Sequence, residues 1–180
     1  MLPGMPPRRR RTQQERSAQT RARVLDAALE CLARDGYRGT TTLAVAERAG
    51  VSRGAQLHHF PTRAALVSAA LRRLYAELTE EYEKGFAALD PRADRLEAAV
   101  ELLWRVMCDP RLDAATELTV AARTDAELRR ELAAVARAHR RGIGRLARTY
   151  FPEAAAPDFD ARLDLVIDAL QGLVLRCGLH

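Results

Sequence analysis

The sequence predicts an all-α protein, and three observations support this fold class. Hydrophobic residues make up 48% of the 180 residues but aromatic residues only 5%, so the core must consist mainly of leucine, valine and alanine. Leucine and alanine favour helices. Apolar residues recur at intervals of three and four positions along most of the chain, as they do on the buried face of a helix. The alternation of apolar and polar residues that indicates strands is missing from the sequence.

Charge and cysteine usage narrow the class of protein. The net charge is +5, and basic residues are concentrated near the N-terminus, in the run Arg8–Arg11 followed by Arg16, Arg21 and Arg23, which suits a polyanionic partner. Three widely spaced cysteines match neither a metal-binding nor a disulfide pattern. No apolar run reaches the roughly 20 residues of a membrane span, and no signal peptide is recognised. We therefore expect a cytoplasmic protein with no membrane partner.

The first helix is expected after a disordered arm. Residues 1–18 are rich in proline, arginine, glutamine and serine and cannot bury apolar area, so we expect them to be disordered. Helical spacing then includes Leu25 and Leu32. Gly36 is expected to close this helix in the left-handed conformation.

Three further helices are expected from their N-caps. Thr41, Ser52 and Thr62 are residues of the type that accepts a hydrogen bond from the first turn of a helix. The first two of these helices are short and end near residues 49 and 59. Gly50 separates them, and the third helix extends to about residue 88.

Four helix starts are expected in the second half of the chain. Two are Asp-Pro pairs, in which a capping aspartate precedes proline at the first helical position. One is a T-x-x-E capping box, which opens a helix over about 125–150. The last follows a loop that contains two prolines. These starts lie at Asp90, at Asp109, at Thr124 with Glu127, and, after the loop 151–159, near Asp160.

The segment 41–60 has the properties of a helix-turn-helix. Ala46 is small where two helices must cross closely, and Gly50 permits the positive φ that the turn needs. Val51 can fill the angle between the helices. In such a motif the second helix enters the major groove of DNA.

A set of residues between about Arg21 and Leu66 combines spacing, caps and a three-helix context over about a quarter of the chain. These residues are Val24–Ala28, Asp35–Tyr37, Thr41, Val45–Ser52, His59–Arg63 and Leu66. With them, the stretch closely resembles the N-terminal domain of the TetR (tetracycline-repressor) regulators. The resemblance implies an N-terminal three-helix DNA-binding domain over 19–65 and a helical ligand-binding and dimerisation domain over 66–180.

Candidate DNA-contacting residues follow from the motif and the resemblance. Thr41 and Ser52 place hydroxyls and helix N-termini near phosphates. Arg53 can reach a guanine edge or a phosphate, and Gln56 can read an adenine. The alternatives are a solvated surface charge for Arg53 and a partly buried packing residue for Gln56. The candidate set is Thr41, Thr42, Ser52, Arg53, Gly54, Ala55, Gln56, His58, His59, Thr62 and Arg63.

One position departs from the family pattern. Leu57 stands where the family usually has a tyrosine that contacts a DNA phosphate, and leucine cannot donate a hydrogen bond. His58, His59, Thr62 and Arg63 are candidates to replace that contact. Arg63 stands where the family often has a phosphate-binding lysine, and it keeps the positive charge.

Candidate ligand-contacting residues lie on the inner faces of the later helices. Trp104 and Met107 are of the kind that lines apolar pockets, and His139 can hydrogen-bond a ligand. Ordinary core packing is the alternative for each of them. The candidate set is Leu103, Trp104, Met107, Leu118, Ala122 and His139. Its apolar character suggests a small hydrophobic effector.

The resemblance implies a homodimeric repressor that binds a palindromic double-stranded DNA operator and is released by a small-molecule effector. The last helix has the wide apolar stripe of a dimer seam. Its second partner is either a C-terminal part that would follow His180 or the helix over 125–150. The basic run Arg8–Arg11 either enters the minor groove or is a solubilising tail.

The sequence does not favour an enzyme. Sets of nucleophile and base, phosphate loops and zinc motifs are not found in it, so no catalytic residue, cofactor or metal site is expected. The alternative within the same fold is a DNA-binding architectural or cell-division-linked protein that has a protein partner and no small-molecule ligand.

Overall fold

The protein is described from a computed structural model, which covers residues 12–90 and 94–177. These residues form eight α-helices and no strand, which confirms the all-α prediction. The helices are α1 (Gln13–Gly39), α2 (Thr42–Ala49), α3 (Arg53–His59), α4 (Arg63–Ala87), α5 (Arg95–Met107), α6 (Asp113–Ala121), α7 (Ala126–Tyr150) and α8 (Phe159–Cys177), with 3₁₀ turns at Pro110–Leu112 and Pro152–Ala155.

Two hydrophobic cores share helix α4. The first core joins α1, α2 and the start of α4, and it includes Val24, Val45, Phe60 and Leu66. The second core is larger, joins α4 to α5, α6, α7 and α8, and includes Leu74. The predicted domain boundary at residue 65 therefore falls within a single continuous helix.

Helices α4 and α7 pack side by side in the same direction. Ser68 donates to Glu131 over 3.2 Å near the start of the pair, and the rings of Tyr75 and His139 are 4.0 Å apart further along. Because sequence positions on the two helices increase together, both helices begin beside the three N-terminal helices and extend away from them.

Ion pairs attach α4 to its neighbours on another side. The guanidinium of Arg73 lies 2.8 Å from Asp26 on α1 and donates to the carbonyl oxygen of Ala22 over 3.1 Å. Arg111, in the turn before α6, donates to Glu81 over 2.8 Å. All these groups are partly exposed, so each pair adds little stability, but together they connect α1, α4 and the turn.

The predicted disorder of residues 1–18 is wrong for residues 12–18. Helix α1 begins at Gln13, because Thr12 and Glu15 form a reciprocal capping box. The stretch is otherwise polar, so its composition predicted disorder although it contains this short capping box. The run Arg8–Arg11 lies outside the described residues.

Gly36 does not end α1 in the way that was expected. Its φ of 63° is positive but its ψ is −177°, so it kinks the helix, and a last turn continues to Gly39. Of the predicted Asp-Pro starts, Asp109-Pro110 is confirmed as the beginning of a 3₁₀ turn. The other falls partly outside the described residues, and Asp94 is the cap of α5.

The cap of α7 differs from the predicted capping box by one residue. Asp125 accepts from the backbone N–H of Leu128 over 2.9 Å, whereas the Thr124 hydroxyl donates back to the carbonyl oxygen of Ala121. Both residue types cap helices well, so the sequence pattern alone could not rank them.

We predict that Asp125→Ala lowers the free energy of unfolding by about 0.5–2 kcal/mol, because the first turn of α7 loses its side-chain acceptor. Thr124→Ala is the matched control and should change this free energy by less than about 0.5 kcal/mol. Urea denaturation of both variants measures the difference. A larger loss for Thr124→Ala than for Asp125→Ala would contradict the observed cap.

Candidate nucleic-acid interface and ligand cavity

The turn between α2 and α3 has the predicted geometry. Gly50 adopts the left-handed conformation (φ 62°, ψ 42°), and its N–H donates to Glu47. The N–H of Val51 donates to the carbonyl oxygen of Ala46 over 3.0 Å. Ser52 then caps α3 by accepting from the backbone N–H three residues later over 3.2 Å. The helix-turn-helix is therefore present as expected.

Two arginines of α1 hold this motif in place. Arg23 donates through Nη2 to the carbonyl oxygens of Ala49 and, over 3.2 Å, Gly50, which satisfies acceptors at the C-terminal end of α2. The guanidinium of Arg21 lies 5.3 Å from the centroid of the Phe60 ring. The sequence interpretation placed both residues among the charges that attract a polyanion, and it missed these internal roles.

The N-caps of α2, α3 and α4 are all exposed. In Thr41, Ser52 and Thr62 the side-chain oxygen accepts a backbone N–H of its helix over 3.1–3.2 Å, and its hydroxyl hydrogen is left for a partner. Thr42 is the half-buried first residue of α2. A helix N-terminus carries a partial positive charge and favours anions.

Helix α3 exposes one polar face, on which Gly54 and Ala55 directly follow Arg53. Arg53, Gly54 and His58 are exposed, and Ala55 is half-buried. A Cβ atom built on Gly54 would meet nothing within 4 Å. The fold itself therefore does not require glycine at this position, which is consistent with close approach of a partner.

Gln56 does not lie on this face. Its side chain is fully buried, and its amide donates to the carbonyl oxygen of Phe60 over 3.4 Å. A base edge cannot reach a buried amide, so Gln56 is not positioned to read adenine as suggested from the sequence. The alternative interpretation, a packing residue, agrees with its position.

The two remaining candidates, His59 at the end of α3 and Arg63 at the start of α4, are both half-buried. Burial, and then the charges of His58 and Arg21, lower the pKa of His59, which favours its neutral form at pH 7. Arg63 is half-buried and stacks on the ring of Tyr37. Neither side chain is a freely solvated charge.

We predict that Gly54→Ala leaves the fold intact and stabilises α3 by about 0.5–1 kcal/mol, because alanine is the better helix former. The same variant should lower DNA affinity by about tenfold or more, since the added methyl group separates the backbone from the groove. Thr149→Ala, at an exposed position near the end of α7, also introduces the better helix former and reports a stability gain alone. Thermal denaturation and fluorescence anisotropy give the two readings, and unchanged DNA affinity would contradict the prediction.

A cavity of about 290 Å³ opens between α4, α6, α7 and α8. Two of the six predicted ligand residues, Met107 and His139, line it, together with Tyr75, Ile143 and Gln171. The other four predicted residues do not line it: Leu103, Leu118 and Ala122 are buried in the core and Trp104 packs against that core. Apolar periodicity identifies the inner face of a helix, but it cannot locate incomplete packing.

The cavity contains a stacked pair of aromatic rings. Tyr75 and His139 are nearly parallel, with an interplanar angle of 9°, and Nδ1 of His139 has no hydrogen-bond partner among the described residues. Burial and, less strongly, the charge of Arg140 lower the pKa of His139 to about 4. The imidazole is therefore neutral at pH 7 and can donate one hydrogen bond and accept another.

We predict that His139 contributes to loss of stability in acid. Its folded-state pKa lies below that of the unfolded chain, so protons bind preferentially to the unfolded state as the pH falls from about 6.5 towards 4. At pH 5 this should remove at most about 2 kcal/mol relative to pH 7.5.

His139→Phe, which keeps a ring beside Tyr75, should lose less stability over this range than the wild type. His58→Gln, at an exposed histidine, should behave like the wild type. Urea denaturation at the two pH values gives the comparison, and equal losses for the wild type and His139→Phe would refute the assignment.

A second, wider cleft of about 680 Å³ lies where the N-terminal helices meet the loop between α6 and α7. Tyr37, Arg63, Glu117, Arg123 and Asp125 line it. The hydroxyl of Tyr37 donates to Asp125 over 3.0 Å and so connects α1 to the start of α7. The sequence singled out Tyr37 only as part of the family resemblance.

Helix α8 presents an apolar outer face. Ile167 and Leu170 are buried against the core, whereas Leu165, Leu173 and Leu175 are 70%, 45% and 51% exposed. Exposed leucines that follow one helix are characteristic of a protein interface.

None of the described helices is long and apolar enough to cross a membrane. Residues 12–90 and 94–177 also contain no cluster of three or more side chains suited to a metal ion.

Comparisons with known proteins agree with this geometry. The family model for bacterial regulatory proteins of the tetR family matches residues 24–70. The HTH-type transcriptional regulator CymR of Pseudomonas putida is 38% identical over 121 residues, which are 67% of this chain but only 60% of CymR. The HTH-type transcriptional regulator Mb2936c of Mycobacterium bovis is 31% identical over 163 residues, covering 88% of this chain and 84% of that protein.

Solved structures show the same architecture. A TetR-family transcriptional regulator from Rhodococcus sp. superposes with a TM-score of 0.71 at 26% identity, covering 88% of this chain and 87% of that one. The multidrug binding protein EbrR in complex with imidazole gives a TM-score of 0.65 at 26% identity, with 87% and 82% coverage.

Proposed function

Because this chain belongs to the TetR family of bacterial transcriptional regulators, we propose that it represses transcription by binding a palindromic operator as a homodimer. A small hydrophobic effector would release it. The chain is a DNA-binding regulator and not an enzyme. The proposal depends above all on the helix-turn-helix, whose second helix is exposed along the face that carries Arg53, Gly54 and His58.

The proposed DNA surface combines exposed helix N-termini with the outer face of α3. Ten residues remain in it after the removal of buried Gln56. Hydroxyl groups and N-termini would bind phosphates and fix the position of the protein, while Arg53 would read a base edge. The proposed set is Thr41, Thr42, Ser52, Arg53, Gly54, Ala55, His58, His59, Thr62 and Arg63.

The outer face of α8 is the proposed dimer seam. Leu165, Ala169 and Gly172 follow one another at helical spacing, and Leu173 flanks them, so a partner helix could approach closely. Two-fold symmetry would present two α3 helices to successive major grooves, about 34–36 Å apart. This arrangement requires an operator with matching half-sites.

The cavity beside Tyr75 and His139 is the proposed effector site. A flat aromatic molecule fits its chemistry, because it could stack on the ring pair and hydrogen-bond the imidazole. EbrR, a multidrug binding protein of similar fold, has been crystallised with imidazole and with proflavin. The presence of a cavity favours this proposal over an architectural protein without a ligand.

The proposed mechanism uses the contact between α4 and α7. An effector that stacks on the pair Tyr75 and His139 would tilt α4 relative to α7, and α4 continues into the first core. This motion would change the spacing of the two α3 helices in the dimer. An effector releases DNA only to the extent that it binds the released state more tightly.

Fluorescence anisotropy with a duplex from immediately upstream of the protein's own gene tests the proposal. We expect saturable binding of two protomers or a multiple per site, with a Kd of about 10⁻⁸ M or tighter at physiological salt, in the presence of random competitor DNA. Arg53→Ala should weaken binding by about 1–3 kcal/mol. The matched control is Arg105→Ala, at an exposed arginine of α5.

Two results would contradict parts of this proposal. Binding with a steep salt dependence and no preference over random DNA would indicate phosphate contacts alone, and it would favour an architectural role. A panel of uncharged aromatic compounds tests the effector site. If none of them releases the specifically bound operator duplex from the wild type or from Tyr75→Leu, this result argues against the effector site.

A further inference from the structure

Arg63 lies at a junction between the DNA surface and the ligand-binding helices. It is the first residue of α4 and directly follows the exposed cap Thr62. Its guanidinium carbon lies 3.7 Å from the centroid of the Tyr37 ring, close enough for a strong cation–π contact. The side chain is therefore held inward in the absence of DNA.

Tyr37 in turn connects Arg63 to the start of α7. Its hydroxyl donates to Oδ2 of Asp125 over 3.0 Å, and Oδ1 of the same carboxylate accepts the Leu128 N–H at the start of α7. A continuous set of contacts thus connects the first residue of α4 with the cap of α7, the helix that supplies His139 to the cavity.

The stacked position leaves Arg63 incompletely satisfied. Its Nε and Nη2 atoms are buried and have no hydrogen-bond partner among the described residues. Buried unpaired donors are unfavourable. These two N–H groups form the planar fork that binds two oxygens of a phosphate together. The arginine thus has a good ring contact here and would gain better hydrogen bonds elsewhere.

Space for a second position is present next to the stack. The cleft of about 680 Å³ is lined by Tyr37, Arg63 and Asp125, so the guanidinium can leave the ring without displacing the core. Thr62, one residue earlier, is exposed and belongs to the surface that the proposed function assigns to DNA phosphates, so Arg63 lies next to that surface.

We propose that Arg63 is a two-position latch, which stacks on Tyr37 when DNA is absent and leaves the ring to bind a backbone phosphate when DNA is present. The inference rests on the proposed DNA-binding function. Release of Tyr37 frees the Asp125 end of α7, so operator binding and the state of α7 are coupled. Such a coupling is reciprocal. If DNA binding weakens the contact of α7 with Tyr37 by a certain factor, then whatever holds α7 against Tyr37 weakens DNA binding by that factor.

The affinity test uses the full-length protein and its operator duplex. Tyr37→Leu removes the inward contact, so we expect it to bind the operator roughly two- to thirty-fold more tightly than the wild type. Arg63→Ala should weaken binding and reduce the salt slope by about 0.9 for each phosphate that the protein no longer neutralises. Adding Tyr37→Leu to Arg63→Ala should then bring no gain, and Arg123→Ala, in the same cleft, is the control that should match the wild type.

Tyr37→Phe tests the link to α7, because it keeps the ring and removes the hydroxyl that binds Asp125. Its operator affinity should lie between those of the wild type and Tyr37→Leu. An affinity equal to that of the wild type would overturn the link to α7. An unchanged or weaker affinity in Tyr37→Leu would overturn the latch.

A spectroscopic measurement covers the case in which a Tyr37 variant fails to fold. In the wild type, the Nε–H signal of Arg63 in an arginine-detected NMR spectrum should carry the ring-current shift of Tyr37 without DNA and lose it on operator binding. A shift that persists in a specific complex would overturn the latch alone. If the ring-shifted signal is present but no duplex forms a specific complex, the proposed function is overturned, and the second position of Arg63 is overturned with it.

Discussion

The parallel contact between α4 and α7 determines how the rest of this molecule is arranged. Fully buried leucines such as Leu74 and Leu78 occupy the inner face of α4, and each contributes about 1.5–3 kcal/mol when it is buried. The same helix supplies Leu66 to the first core. Because interiors are packed as densely as organic crystals, α4 cannot bend freely between the two cores. A displacement at one end must reach the other, and this makes α4 suitable for carrying a signal.

Two polar side chains at or beside this apolar contact have buried atoms without a hydrogen-bond partner. Nδ1 of His139 has no partner among the described residues at the cavity, and Nε and Nη2 of Arg63 have none there at the start of α4. Most buried polar groups in native proteins are paired, so a fold that only had to be stable would place apolar residues at both sites. His139 lies midway along α7 at the proposed effector site, and Arg63 lies at the start of α4 beside the proposed DNA surface.

The sequence predicted local features better than it predicted which side chains share a site. Thr41, Ser52 and Thr62 were correctly identified as caps, because a cap depends only on its own helix. Thr124 was wrongly preferred over Asp125 as the cap of α7, because both residue types can cap a helix. The tertiary contact of Asp125 with Tyr37 decides between them, and the sequence does not show it. The helical period could not predict the burial of Gln56 in a seven-residue helix, since so short a helix has no clear apolar stripe. The same limitation explains the ligand set, because a cavity is a property of several helices packed together.

Arginine usage shows why net charge is a poor guide to the DNA surface. The chain has a single lysine, Lys84, and otherwise relies on arginine for positive charge. Arg23 satisfies carbonyl oxygens at the end of α2 and Arg73 joins α4 to α1, so neither is a free charge. A planar guanidinium can stack, form a fork and reach several acceptors at once, whereas an ammonium group acts mainly as a point charge. Part of the positive charge near the helix-turn-helix therefore holds the motif together. Among the described residues, the exposed side chains of the motif and its helix N-termini remain to attract DNA, which favours a specific docking geometry over general affinity for polyanions.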